Sequence, residues 1–249
     1  MEKMQLTILT GASRGLGAAM AEQLLKHGHR LVTISRHTAG LWVVQGSDLE
    51  QWAMDLADPG PAASRLEDWL AAQDPAALGT ATLINNAAAL AQPAPLHAVP
   101  MAELTHALRV GLEAPLLLSA AFLRATADWQ LPRKLLFISS GLGRRAMAGN
   151  ASYCAVKAGM DHLARALALE QAAVPNGARV VSLAPGVIDT DMQVLLRGAD
   201  PLLFPERETF MQLKAGGLLD TPAQAAAKVL AVLARPDFGS NPIGDVRDA

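Results

Sequence analysis

Seven short apolar runs punctuate the chain, and helical stretches fill most of the gaps between them. The runs are "LTILT" (6–10), "RLVTIS" (30–35), "QWAMDL" (51–56), "ATLINN" (81–86), "KLLFISS" (134–140), "ARVVSLAPG" (178–186) and "NPIGDVR" (241–247). Helical patterns cover 15–28 (closed by Gly28), 61–73, a long stretch from 101 to 129, 151–172 and the Ala-rich 222–234. A strand buried on both faces loses its polar alternation, which is the signature of a parallel sheet between layers of helices. Repeated βα units of this kind predict an α/β fold, a doubly wound parallel sheet of about seven strands with helices on both faces. No linker, repeat or low-complexity tract divides the chain, so 1–249 reads as a single domain. Residues 189–221 fit neither period. A long irregular segment between a strand and a helix reads as a substrate lid.

Composition narrows the function classes. Hydrophobic residues make up 51% of the 249 and charged residues 18%, a globular balance. The formal net charge of −2 offers no basic surface for nucleic acid or an anionic membrane. Cys154 is the one cysteine, so neither an internal disulfide nor a multi-cysteine metal site is expected. The six histidines lack ligand spacing, and no metal is expected. The opening "MEKMQLTILT" shows no signal-peptide core, and "APLLLSAAFL" falls short of the roughly 20 residues a spanning helix needs. A cytoplasmic protein is the expectation.

Two local patterns carry chemistry. "TGASRGLG" (10–17) follows the first strand and opens the first helix, where an open α/β sheet presents backbone N–H groups to a pyrophosphate. The glycines follow T-G-x-x-x-G-x-G, not the usual G-x-G-x-x-G. The second pattern is Tyr153 with Lys157 in "ASYCAVKAGM". Tyr153 is the only tyrosine, and a spacing of four puts phenol and ammonium on one helical face. A phenol of pKa about 10 is a poor acid or base at neutral pH, and a nearby positive charge lowers it.

These motifs, with "NNAA" (85–88), a serine thirteen residues before the tyrosine, and "APGVIDTDM" (184–192), resemble the short-chain dehydrogenase/reductase superfamily in order and spacing across nearly the whole chain. The resemblance implies a Rossmann-type domain, a nicotinamide cofactor, a Ser-Tyr-Lys active site and a homodimer or homotetramer. Ser139 and Ser140 both end a strand; the family spacing selects Ser140, with Tyr153 and Lys157. The implied cofactor contacts are Gly11, Ser13, Arg14, Gly15, Leu16 and Gly17 in the glycine turn, then Ser35 and Arg36 after the second strand. Asp55 and Leu56 in "MDLAD", Asn85, Asn86 and Ala87, and Pro185, Gly186, Val187, Ile188 and Thr190 complete the set, with Tyr153 and Lys157. Family members that use NAD tend to carry an acidic residue where Ser35 stands. Arg36, assisted by Arg14, would pair with a 2′-phosphate, so NADPH (NADP⁺) is the expected cofactor.

The sequence departs from the family at Gly111 in "VGLEAP", where many members carry an asparagine that kinks the helix and holds a water linked to the lysine. Gly111→Asn is expected to fold, altering the rate modestly if a backbone-held water completes the relay and raising turnover if the missing amide slows the enzyme. The closest likeness is to the branch of sepiapterin reductases and benzil-type diketone reductases. It implies an NADPH-dependent carbonyl reductase acting on a small ketone, a vicinal dicarbonyl or a pterin-like substrate. Asp248 would anchor substrate, and Leu202, Phe204 and Phe210 of the lid would form an apolar wall. Two alternatives are a 3-oxoacyl thioester reductase and, because of Gly111, an NADP-binding sensor or scaffold with little turnover.

Overall fold

The computed structural model describes residues 3–38 and 48–248. The strands are β1 (Met4–Thr10), β2 (Arg30–Ser35), β3 (Leu49–Ala53), β4 (Leu78–Asn85), β5 (Arg133–Ile138), β6 (Arg179–Ala184) and β7 (Ile243–Asp245). They form one sheet in the order β3-β2-β1-β4-β5-β6-β7, and every pairing is parallel. The order reverses between β1 and β4, the switch point where doubly wound sheets bind ligands.

The helices are α1 (Gly15–Lys26), α2 (Pro59–Ala71), α3 (Met101–Leu108), α4 (Ala114–Ala125), α5 (Ala151–Ala172), α6 (Asp191–Arg197), α7 (Arg207–Ala215) and α8 (Pro222–Ala234). Alternate strand residues feed two cores. Leu6, Ile8, Leu83, Leu135 and Phe137 pack with α2, α4 and α5, while Leu9, Ile84, Leu136 and Leu183 pack with α1 and α8. Helix α8 starts from a capping box: Thr221 Oγ1 accepts from Gln224 N at 3.2 Å, and Gln224 Oε1 accepts from Thr221 N at 2.9 Å.

Several boundaries differ from the sequence pattern. Strand β3 ends at Ala53, because pairing places Leu49 opposite Leu31 and Ala53 opposite Ser35, the last residue of β2. Strand β5 ends at Ile138, leaving Ser139 and Ser140 in the exit turn. The stretch 101–129 is not one regular helix: a π-helical turn, Arg109–Glu113, joins α3 to α4. Pro115 lacks the N–H that would bond the Gly111 carbonyl four residues back, and its ring would crowd that carbonyl. A widened turn relieves both. The continuous stretch Met101–Ala125 has the length and apolarity to cross a membrane, contrary to the sequence expectation, but half of its most apolar window is buried inside the fold, as in a core helix. Residues 189–221 are not irregular throughout, since α6 and α7 occupy about half of them. Each is too short to show a clear period, and Gly198, Pro201 and Pro205 separate them.

Candidate active site

A cleft of about 980 Å³ crosses the C-terminal ends of the strands. This is the upper end of the range for ligand pockets, roughly 300–1,000 Å³. The glycine turn lines one end of it, and Ser140, Tyr153 and Lys157 line the middle. Gly11 adopts φ +69°, and a Cβ there would meet the Ala87 Cα at 2.8 Å; a Cβ at Gly17 would lie 2.1 Å from the Gly11 oxygen. Only glycine permits this tight turn, in which the strand end and the start of α1 close on each other.

Most of the sequence-predicted residues line the cleft: Gly11, Ser13, Arg14, Gly15, Leu16 and Gly17 after β1, Ser35 and Arg36 after β2, Asp55 and Leu56 after β3. Asn86 and Ala87 follow β4, and Pro185, Gly186, Val187, Ile188 and Thr190 follow β6. The Ser35 hydroxyl accepts from the Ala12 N–H at 2.9 Å, so it also braces the glycine turn. Asn86 Nδ2 donates to Thr10 O at 2.9 Å and Gly11 O at 3.1 Å, tying β4 to the same turn. Arg36 is exposed and has no ion-pair partner among the described residues.

Four residues are placed elsewhere. Asn85 does not line the cleft; it is buried and donates to Ser119 Oγ of α4 at 3.2 Å, because strand alternation turns it away from Asn86. Leu202 is 88% exposed. Phe204 is fully buried and stacks on Phe210 at 5.7 Å in a small core with Met147 and Leu196, so of the three lid hydrophobes only Phe210 reaches the cleft. Asp248 lies exposed beyond β7 and does not line the cleft; Asp245 and Arg247 do. Arg14 does line it, but pairs with Asp191 of α6 at 2.8 Å and is not a free cation. The sequence reading also missed His106, Arg145 and Gln193 in the lining. Asp245 falls within the apolar run "NPIGDVR" (241–247), whereas the family resemblance selects Asp248.

Tyr153 and Lys157 sit one turn apart on α5, with the Lys157 Nζ 5.5 Å from the centre of the phenol ring. Lys157 is 2% exposed and donates to the Ile138 carbonyl at 2.7 Å. Burial pushes the Tyr153 phenol up to about 12, against a hydrogen bond with Ser140 that pulls it down. Burial likewise pushes Lys157 down to about 8, although Asp161 favours its charged form. The expected lowering of the phenol by Lys157 is therefore not met in the protein alone: desolvation outweighs a charge that lies beside the ring.

A cleft of this kind, at the switch point of a parallel sheet and holding a glycine turn together with a serine, a tyrosine and a lysine, defines a nucleotide-dependent oxidoreductase. The short chain dehydrogenase family matches residues 5–200, and the chain belongs to that family. It is 33% identical to benzil reductase ((S)-benzoin forming) of Bacillus subtilis (strain 168), over 92% of this chain and 93% of that protein. It is 33% identical to sepiapterin reductase of Mus musculus, over 97% of this chain and 96% of that one. The crystal structure of a metagenomic short-chain oxidoreductase in complex with NADP shares the fold at a TM-score of 0.70 and 28% identity, covering 97% of this chain and 94% of that chain.

Proposed function

We propose that this oxidoreductase is an NADPH-dependent reductase of small ketones and vicinal dicarbonyls, with pterin-like ketones in the same class. The observation that carries the proposal is the single cleft joining the glycine turn to Ser140, Tyr153 and Lys157 under the apolar face of Phe210, Leu213 and Leu196. The similarity to benzil and sepiapterin reductases supports the substrate class. The residues fit a nicotinamide dinucleotide: the glycine turn lines the cleft where α1 begins, so backbone N–H groups at a helix N-terminus are available to a pyrophosphate, and no carboxylate stands at Ser35 to repel a 2′-phosphate.

A dihydronicotinamide bound in this cleft would supply the hydride that reduces the carbonyl carbon. The Ser140 hydroxyl donates to the carbonyl oxygen and stabilises the charge that builds on it. The Tyr153 O–H delivers the proton that completes the alcohol. A phenol held near 12 is fully protonated at neutral pH, which suits the reductive direction. The Lys157 ammonium stabilises the phenolate that remains until solvent returns the proton. Helices α6 and α7 act as the lid and exclude water.

A homodimer or homotetramer in the cytoplasm belongs to the same proposal. Exposed Met101 and Leu116 on α3–α4 and Leu169 on α5 supply apolar surface for a second copy. Light scattering after gel filtration tests the assembly. The activity test is NADPH consumption with benzil-type diketones, quinones, sepiapterin and acetoacetyl thioesters, on the wild type and Tyr153→Phe. Reduction of a diketone or pterin, with turnover about 10²–10⁴-fold lower in the variant, is expected. A variant that keeps more than half the activity would remove Tyr153 from the chemistry.

A further inference from the structure

Asp161 is a buried carboxylate that the proposed reaction does not use. It lies one turn beyond Lys157 on α5 and is 1% exposed. Ser139 Oγ and Ser182 Oγ both donate to its Oδ1, at 2.6 Å and 2.7 Å. Its Oδ2 accepts no hydrogen bond, and the Arg144 Nε stands 3.4 Å away. Arg144 in turn donates to Gly244 O of β7 at 2.8 Å. Burying a carboxylate is costly even when it is paired, and apolar side chains of similar volume fill such space at least as well. Packing alone therefore does not account for Asp161.

Its position relative to β5 does. Ile138, Ser139 and Ser140 are consecutive at the strand exit. Lys157 holds the first through its carbonyl at 2.7 Å, and Asp161 holds the second through its hydroxyl. The Ser139 N–H donates to Leu183 O at 2.8 Å, so the segment is fixed from β6 as well. Two successive turns of α5 thus grip the peptide that carries Ser140. We infer that Asp161 is a positioning residue of the reductase site, fixing Ser139 and hence Ser140 while balancing the buried Lys157 ammonium one turn away. This rests on Ser140, Tyr153 and Lys157 being the reacting groups.

The test is steady-state diketone reduction with NADPH by the full chain, for wild type, Asp161→Asn, Ser139→Ala, the double variant and Tyr153→Phe. A misplacement of a reacting group by about 1 Å costs on the order of 100-fold, so Asp161→Asn should lower kcat about 10- to 100-fold while the KM for NADPH stays within about twofold. Ser139→Ala should lower kcat in the same sense. The double variant should be no slower than Asp161→Asn, because a shared interaction is lost only once. A cooperatively folded Asp161→Asn with unchanged kcat overturns the inference, whatever its melting temperature. If that variant does not fold, Ser139→Ala decides: unchanged kcat overturns the inference and a selective fall in kcat supports it. An active Tyr153→Phe would instead overturn the assignment of the reacting groups.

Discussion

Gly111 offers a quantitative test of how the α3–α4 junction is built. A Cβ placed there would come 2.5 Å from Val156 Cγ1 and 3.5 Å from Cγ2. Ordinary carbon contacts lie at about 3.5–4.0 Å, so Val156 or one of the helices must move. Val156 is stiff at χ1, fully buried, and precedes Lys157 on α5. Overpacking of this kind costs about 1–3 kcal/mol, and an overlap near 1 Å belongs in the upper half of that range. Removing a helical glycine returns about 1 kcal/mol. Gly111→Ala should therefore destabilise by about 1–2 kcal/mol, a fall of about 2–8 °C in Tm for a chain of this size. Val156→Ala opens the space, so the Gly111→Ala/Val156→Ala pair should be more stable than the summed single effects by about 1 kcal/mol or more. Urea unfolding of the four proteins measures the coupling. Additive effects, or a Gly111→Ala that stabilises, would refute the reasoning. The same contact corrects the expectation for Gly111→Asn: the larger side chain meets Val156 first, so that variant should lose stability before it changes the rate.

The remaining predictions concern the cofactor and proton inventory. Arg36 should favour NADPH over NADH about 10- to 100-fold in kcat/KM, the range of a charge-assisted pair of roughly 1.5–3 kcal/mol; equal use of both cofactors would refute its role. Ser35→Asp with Arg36→Leu should reverse the preference without unfolding the glycine turn, because a carboxylate can still accept from the Ala12 N–H, and cofactor kinetics together with Tm check both parts. Arg14→Ala should change kcat/KM for NADPH far less than Arg36→Leu, since the guanidinium already pairs with Asp191; an effect as large as that of Arg36 would show that the pair opens for the cofactor. Lys157, depressed to about 8, should impose a fall in kcat/KM for NADPH above that pH, and a flat profile to pH 10 would contradict it. The sign for stability is opposite: the unfolded chain keeps the proton to about 10.5, so the Lys157 contribution to unfolding free energy should rise between about pH 8 and 10.5. Comparing urea unfolding of wild type and Lys157→Met across that interval isolates it.

What the sequence made legible was whatever local chemistry dictates alone. Near-continuous apolar strands specified the parallel sheet, and the glycine turn specified the switch point, because neither depends on partners far along the chain. Tyr153 and Lys157 were legible for the same reason: four residues on a helix bring two side chains to one face wherever the helix lies. The misplaced residues depend on how each segment turns and packs in the folded chain. Asn85 and Asn86 are neighbours in sequence, yet alternation at the end of β4 sends one to Ser119 and the other to the cofactor cleft. Phe204 and Leu202 look equivalent in the lid, but the turn between α6 and α7 buries the first and exposes the second. Asp245, not Asp248, lines the cleft, since β7 pairs with β6 and stops at that residue. The electrostatics were the least legible. A lysine beside a tyrosine suggests a lowered phenol, but α5 buries both groups, and desolvation, which no spacing encodes, moves them the other way. Asp161 went unnoticed for a related reason. In sequence it is an acidic residue in a helix, and its meaning comes from Ser139 and Ser182, on segments 22 and 21 residues away that meet only once the sheet has formed.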